Sequence, residues 1–153
     1  MDDDLATRLA PSGALLATNI ALSAAIDRCA VDGMDHDSTS IDLLVRLSLA
    51  EGGRLRAVEL SDQLLLSPSH VSRMLDRSEK AGLVRREPDP DDRRASQVVM
   101  TDEGRSVVER FAPRLSSVLD RTVHHVLDKS EIATLVGMLE RVERAARECM
   151  PNP

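Results

Sequence analysis

The sequence predicts a mainly α chain with one small β-hairpin, and three observations carry that prediction. Apolar residues recur at helical spacing through most of the 153 residues. Two short runs with strand character, Val84–Glu87 and Ser96–Met100, flank a tip, Pro88–Arg94, made of Pro, Asp and Arg. Ser67-Pro68 and Ala81-Gly82 bracket one helix sharply, because proline tolerates the first helical position and glycine the left-handed exit. A hydrophobic share of 42% beside 30% charged residues is that of a globular chain, and residues 1–153 are expected to form one domain.

Taken in order, Ser12 reads as the N-cap of a first helix reaching about Ala30, with Leu15, Leu16, Ile20, Leu22, Ile26 and Cys29 on its apolar side. Residues 32–38 read as a loop. Thr39 is expected to cap a second helix, with Asp42 completing a capping box and Gly52-Gly53 ending it. A short third helix spans about Arg56 to Leu65, and the fourth starts at Ser67 and stops at Gly82, where Leu83 packs back. After the hairpin, Thr101 with Asp102 and Glu103 opens a helix running to about Leu127, roughly 40 Å long. Its stripe of Val107, Val108, Phe111, Leu115, Val118, Leu119, Val123 and Val126 is interrupted by Pro113, where a kink is expected. A last helix, Ser130 to about Met150, repeats the pattern with Ile132, Leu135, Val136, Leu139 and Val142. So small a chain has few other elements to cover these stripes. The helices at 5–31 and 102–150 are therefore expected to dimerise around a module at 38–101.

Several function classes fall away. The apolar residues are spaced rather than run together, so no membrane span is expected, and the acidic start MDDDLATRLA does not read as a signal peptide. Cys29 and Cys149 lie far apart and match no zinc spacing, as in a reducing, cytoplasmic setting. Asp35, His36, Asp37 and Cys29 with His124 and His125 do not make a persuasive metal set, since the two adjacent histidines face different sides of their helix. No nucleophile with base and orienting partner is visible, nor a phosphate-binding glycine loop, and Asp91 and Asp92 at an exposed tip lack the burial a general acid needs. The chain does not read as an enzyme, and no cofactor is expected.

Net charge is −6, yet between Ser67 and Arg86 the basic residues Arg73, Arg77, Lys80, Arg85 and Arg86 face only Asp76 and Glu79. The field is locally positive, and the acidic remainder would repel a polyanion elsewhere. At 100° per residue, Val71, Met74, Leu75 and Ser78 gather on one side of the fourth helix. Ser69, Arg73, Asp76 and Lys80 lie opposite, with His70, Ser72 and Arg77 on the flanks. Such a polar face without bulky apolar groups fits a DNA major groove. Hydroxyls and His near the helix start reach base edges, Arg73 offers a bidentate fork to guanine, and Arg77 suits a phosphate. At the hairpin tip Arg94 has the reach for a minor groove, and Asp92, two residues earlier, can hold it extended.

The run LSPSHVSRMLDRSEKAGLVRREPDPDDRRASQVVMTDEG resembles the winged helix-turn-helix of the MarR family of bacterial transcriptional regulators. The likeness rests on S-x-V-S-R-x-x-D in the recognition helix, the G-L-V exit, the D-x-R wing and Thr-x-x-Gly after the second strand. The resemblance implies a homodimer on a pseudo-palindromic operator in double-stranded DNA, a repressor released by a small-molecule or redox signal. It assigns DNA contacts to Ser67, Ser69, His70, Ser72, Arg73 and Arg77, and the wing pair to Asp92 and Arg94. The alternative reading is a winged helix turned protein-interaction module. With no Trp or Tyr and only Phe111, an effector pocket has to use Leu, Val, Met and Arg. Some relatives sense peroxide through a cysteine. Cys29 reads instead as a small buried residue near the dimer core, since Arg28 points about 100° away along the helix.

Overall fold

The computed structural model describes residues 3–90, 92 and 95–149. Among them run α1 (Asp3–Ile26), α2 (Ser38–Leu49), β1 (Arg54–Arg56), α3 (Ala57–Leu64), α4 (Pro68–Lys80), β2 (Val84–Pro88), β3 (Ser96–Met100), α5 (Asp102–Thr122) and α6 (Lys129–Glu148). A π-helical turn at Asp27–Val31 follows α1, and a 3₁₀ turn at Glu51–Gly53 follows α2. The mainly α class with a hairpin holds, with one addition: β1 pairs with β3, making an antiparallel sheet in the order β1-β3-β2. Three residues between a glycine pair and a helix are too short for a periodicity signal, so β1 was not expected.

Two compact units divide the chain, Ser23–Leu115 and the chain ends Met1–Leu22 with Ser116–Pro153. The Ser23–Leu115 unit holds a core of Ala30, Ile41, Leu43, Leu44, Leu47, Leu60, Val71, Met74, Leu75, Leu83, Val84, Val98, Met100, Val107 and Phe111, each under 5% exposed. Helix ends are settled locally. α2 starts two residues earlier than Thr39 would place it, because Asp37 Oδ1 accepts the Ser40 N–H at 2.8 Å, while Asp42 pairs with Arg46 at 3.2 Å. That N–H, helped by the Ser40 hydroxyl and by the charges of Arg77 and His36, holds the Asp37 carboxyl below its ordinary value. α4 ends in a Schellman motif: Gly82 has φ +74°, its N–H donates to the Glu79 carbonyl, and the Leu83 N–H donates to that of Ser78, both at 2.9 Å.

Leu83 is also where α5 is anchored. Its carbonyl accepts the Thr101 N–H at 3.1 Å, the Thr101 hydroxyl lies 2.7 Å from the Gly82 carbonyl oxygen and 2.9 Å from that of Leu83, and Thr101 Oγ1 in turn accepts the Gly104 N–H at 3.1 Å. A Cβ on Gly104 would lie 2.3 Å from the Leu83 carbonyl oxygen and 2.9 Å from Met100 Cγ. The Thr-x-x-Gly spacing is thereby explained by a cap and a close approach of backbones.

In the other unit, α6 opens on a capping box. Asp128 Oδ1 accepts the N–H groups of Ser130 and Glu131 at 2.7 and 2.9 Å, and Glu131 accepts the Asp128 N–H. The Glu131 N–H is the main influence holding the Asp128 carboxyl below its ordinary value. α5 stops at Thr122, not Leu127, so its 21 residues span about 31 Å. α1 starts at Asp3, and Ser12 is internal, its hydroxyl donating to the Leu9 carbonyl, because Pro11 is carried within the helix. Leu9, Leu16 and Ile20 on α1 and Val136, Met138 and Val142 on α6 are 47–68% exposed. By length and composition Leu5–Val31 is long and apolar enough to cross a membrane, at mean hydropathy 1.5 over a window none of which is buried. This corrects the expectation above: Ala6, Ala10, Ala14, Ala17, Ala21, Ala24 and Ala25 fill the gaps between the periodic leucines and keep the average high.

Two outcomes follow for stability. Gly104→Ala should lower the unfolding free energy by about 1–3 kcal/mol in urea titrations, since Leu83 backbone has to move to admit the methyl. Asp37→Ala should lower it by about 1 kcal/mol at neutral pH. Folding depresses the Asp37 pKa, so this stabilisation is complete above the unfolded value of 3.8 and is lost as pH falls through the lower folded value. Wild-type and variant curves measured against pH should therefore converge in acid.

Candidate nucleic-acid interface

The surface marked by the sequence is one side of α4, and its orientation is set by what the other side buries. Val71, Met74, Leu75 and Ser78 are each at most 3% exposed, the four positions that the helical wheel turns inward. Ser78 Oγ has no hydrogen-bond partner there, a desolvation penalty of roughly 1–3 kcal/mol that its apolar neighbours offset. With this side fixed, Ser69, His70, Ser72, Arg73, Arg77 and Lys80 all stand exposed. The turn that brings the chain from α3 into α4 contains Leu65 with φ +53°, a left-handed conformation unusual for leucine.

Ser67 is the N-cap, with Pro68 in the first turn. Its hydroxyl accepts the His70 N–H at 3.4 Å and lies 3.1 Å from both Ser69 Oγ and His70 Nδ1. Ser67, Ser69 and His70 thus form one hydrogen-bonded cluster at the positive end of the helix dipole. His70, Arg73, Arg77 and Lys80, three or four residues apart, line an open depression of about 570 Å³ together with Asp76.

The charges along this surface are of two kinds. Arg85 Nε lies 2.7 Å from Glu87, and Arg86 reaches Asp76 at 2.6 Å and also bonds Glu79. The Arg86 N–H, on the outer edge of β2, donates to Glu79 Oε1 at 3.1 Å. These bonds, that to Asp76 foremost, raise the pKa of the Arg86 guanidinium and tie β2 to α4. Arg85 and Arg86 are therefore neutralised in place, and the locally positive field expected over Ser67 to Arg86 rests on Arg73, Arg77 and Lys80. Among the described residues, Arg73, Arg77 and Lys80 have no ion-pair partner.

The wing has an anchor that sequence reasoning missed. Asp89 was read as part of an exposed tip, but it is 2% exposed and its Oδ2 accepts Arg56 Nε at 2.6 Å and Gln97 Nε2 at 3.1 Å. This carboxylate raises the pKa of Arg56. Asp89 Oδ1 accepts the Asp92 N–H at 3.1 Å, the Asp92 carbonyl accepts the Ala95 N–H at 2.9 Å, and the Asp89 N–H donates to the Ala95 carbonyl at 3.1 Å. The available signal was an aspartate fixed between Pro88 and Pro90, three residues before a second aspartate. Asp92 is exposed. Arg94, with Arg93 and Asp91, lies outside the described residues, and so does the expected Asp92–Arg94 tie.

Cys29 and Cys149 are both exposed thiols. The buried position expected for Cys29 is taken by Ala30, because the i→i+5 turn at Asp27–Val31 rotates the side chains off the stripe of α1. Among the described residues no group of three His, Cys, Asp or Glu side chains is arranged to hold a metal.

Residues 38–96 match the MarR family. Multiple antibiotic resistance protein MarR of Salmonella typhimurium is 30% identical over 106 residues, 69% of this chain and 74% of that protein. The HTH-type transcriptional repressor MdtR of Bacillus subtilis is 36% identical over 108 residues, 71% of this chain and 69% of its own. The crystal structure of Sco3205, a MarR family transcriptional regulator from Streptomyces coelicolor in complex with DNA, superposes with a TM-score of 0.78 at 28% identity. It covers 96% of this chain and 90% of that one. These relatives are transcriptional regulators rather than enzymes. By this identity, and by a winged helix built on Ser67–Pro88 and Ser96–Met100, the chain belongs to the MarR family of transcriptional regulators.

Proposed function

We propose that this protein binds duplex DNA as a homodimer and regulates transcription in the cytoplasm, acting as a repressor that a small-molecule or redox signal releases. The observation that carries the DNA reading is the division of charge on the winged module. Arg46, Arg56, Arg85 and Arg86 are each paired with a carboxylate, while Arg73, Arg77 and Lys80 stay without an ion-pair partner among the described residues, on one exposed face beside His70. In this reading α4 enters the major groove. Arg73 forks to guanine, the Ser67, Ser69, His70 and Ser72 groups meet base edges, and Arg77 and Lys80 face phosphates. Asp92 and Arg94 serve the minor groove. The DNA-bound state of Sco3205 and the repressor name of MdtR support the assignment.

The dimer rests on the helices at 5–31 and 102–150, whose apolar residues stand exposed on α1 and α6. A second copy suits α1 better than a bilayer does, because the likeness to Sco3205 extends over 96% of the chain. Two modules related by a twofold axis require a pseudo-palindromic operator. For the releasing signal, the exposed thiols of Cys29 and Cys149 are candidate redox receivers. An open hollow of about 410 Å³ beside Arg28, Val31, Met34 and His36 is a candidate small-molecule site.

Arg73→Ala should weaken binding to a duplex selected by the wild-type protein by at least roughly tenfold. It should relax specificity at one base pair per half-site, whereas Arg77→Ala should lower the slope of log affinity against log salt by about one unit. Fluorescence anisotropy across a salt series checks both. Sedimentation should show a dimer for the wild-type protein and a monomer for Leu139→Glu, whose circular dichroism keeps its helix signal and whose operator affinity falls at least about tenfold.

A further inference from the structure

The base of the wing contains the most buried ionised group described in the protein, and neither the helix contacts nor the tip arginines account for it. The Asp89 side chain is wholly buried, 0% exposed, with Arg56 as its salt-bridge partner. Its two oxygens divide their work. Oδ2 takes the Arg56 Nε and Gln97 Nε2 donors, and Oδ1 takes the Asp92 N–H at the start of the stretch that carries Arg93 and Arg94.

The partners come from separate parts of the fold. Arg56 ends β1 and is the N-cap of α3, its N–H bonded to Glu59 Oε2 at 2.6 Å. Gln97 lies on the central strand β3, directly opposite Arg56 in the register. One carboxylate therefore ties the first helix of the helix-turn-helix, the middle of the sheet and the root of the wing tip. A carboxylate with both oxygens engaged sets position and orientation together, which a single hydrogen bond does not. Removing one member leaves buried charge or donors without partners, so the arrangement has no half-made state of similar energy.

Resting on the DNA reading above, we propose that Asp89 is the positioning residue for minor-groove reading. Held by Arg56 and Gln97, it sets where the wing tip stands relative to α4, and so where the wing meets the duplex. Asn cannot replace it. An amide has one acceptor oxygen, so Asp89→Asn forfeits either the Asp92 N–H or the Arg56–Gln97 pair, whichever way the amide turns.

The test uses the full-length protein and a duplex enriched from a random pool by the wild type. Hydroxyl-radical cleavage reports the minor groove and dimethyl sulfate the guanine edges of the major groove. Asp89→Asn and Arg56→Met should each lose the flanking hydroxyl-radical protection while keeping the dimethyl sulfate protection. Affinity should fall on the order of tenfold, and the double variant should lose no more than either single one. Thermal unfolding gives each variant's folded fraction, and Gln97→Leu, which keeps the ion pair, supplies a milder variant with partial loss of the same flank. Flank protection unchanged in Asp89→Asn overturns the proposal while the DNA reading stands. So does parallel loss of both protections in proportion to unfolding. A wild-type protein that enriches no sequence overturns the DNA reading, and this inference with it.

Discussion

The carbonyl of Leu83 is the joint on which the DNA-reading half of this protein is organised. Its oxygen receives the Thr101 N–H and shares the Thr101 hydroxyl with the Gly82 carbonyl, directly after the turn that ends α4 and directly before β2, and the bare backbone of Gly104 rests against it. α4, β2 and the start of α5 are therefore registered on the adjacent carbonyls of Gly82 and Leu83. Any side chain at Gly104 would drive α5 away from the turn after α4. With α5 would go the contact of Leu44 and Met100 against its first turn.

From that joint the charges separate by parity. β2 alternates its side chains, so Arg86 falls on the Val98 side of the sheet, where Asp76 and Glu79 of α4 meet it, while Arg85 and Glu87 pair on the other side. The same alternation puts Arg56 and Gln97 opposite one another over Asp89. Ion pairs thus engage Arg56, Arg85 and Arg86 of the sheet, while Arg73, Arg77 and Lys80 on the exposed face of α4 are left without one among the described residues. A protein with net charge −6 can keep a locally attractive surface for phosphate because its fold spends some arginines on carboxylates and withholds others.

What could be read from the sequence was what is decided within a few residues. The Ser67-Pro68 start and Gly82 exit of α4, and the four residues it turns inward, depend on helical periodicity and local caps, and all appear where expected. The N-cap of α2 was misplaced by two residues because Asp37 and Thr39 are both competent caps, and only the observed bond to Ser40 separates them. The start of α1 was misjudged because Pro11 and Ser12 imitate a helix beginning. Long-range pairing was illegible: β1 exists because β3 offers it an edge, and Asp89 is buried because Arg56, 33 residues earlier, arrives to neutralise it. Nothing in a proline-rich tip distinguishes a solvated aspartate from an anchored one until its partner is known.

The chain's only Phe, Tyr or Trp side chain, Phe111, lies in the core at 4% exposure. Proteins that hold single strands or splayed bases commonly do so by stacking them on exposed rings, and this protein has no Phe, Tyr or Trp to offer. Its means of touching nucleic acid are hydrogen-bond donors and positive charge, which address phosphates and the edges of bases that remain paired and stacked. With Phe111 in the core, the α4 surface meets a nucleic acid through the Ser67, Ser69 and Ser72 hydroxyls, His70 and the charges of Arg73, Arg77 and Lys80, groups suited to the edges and phosphates of a duplex.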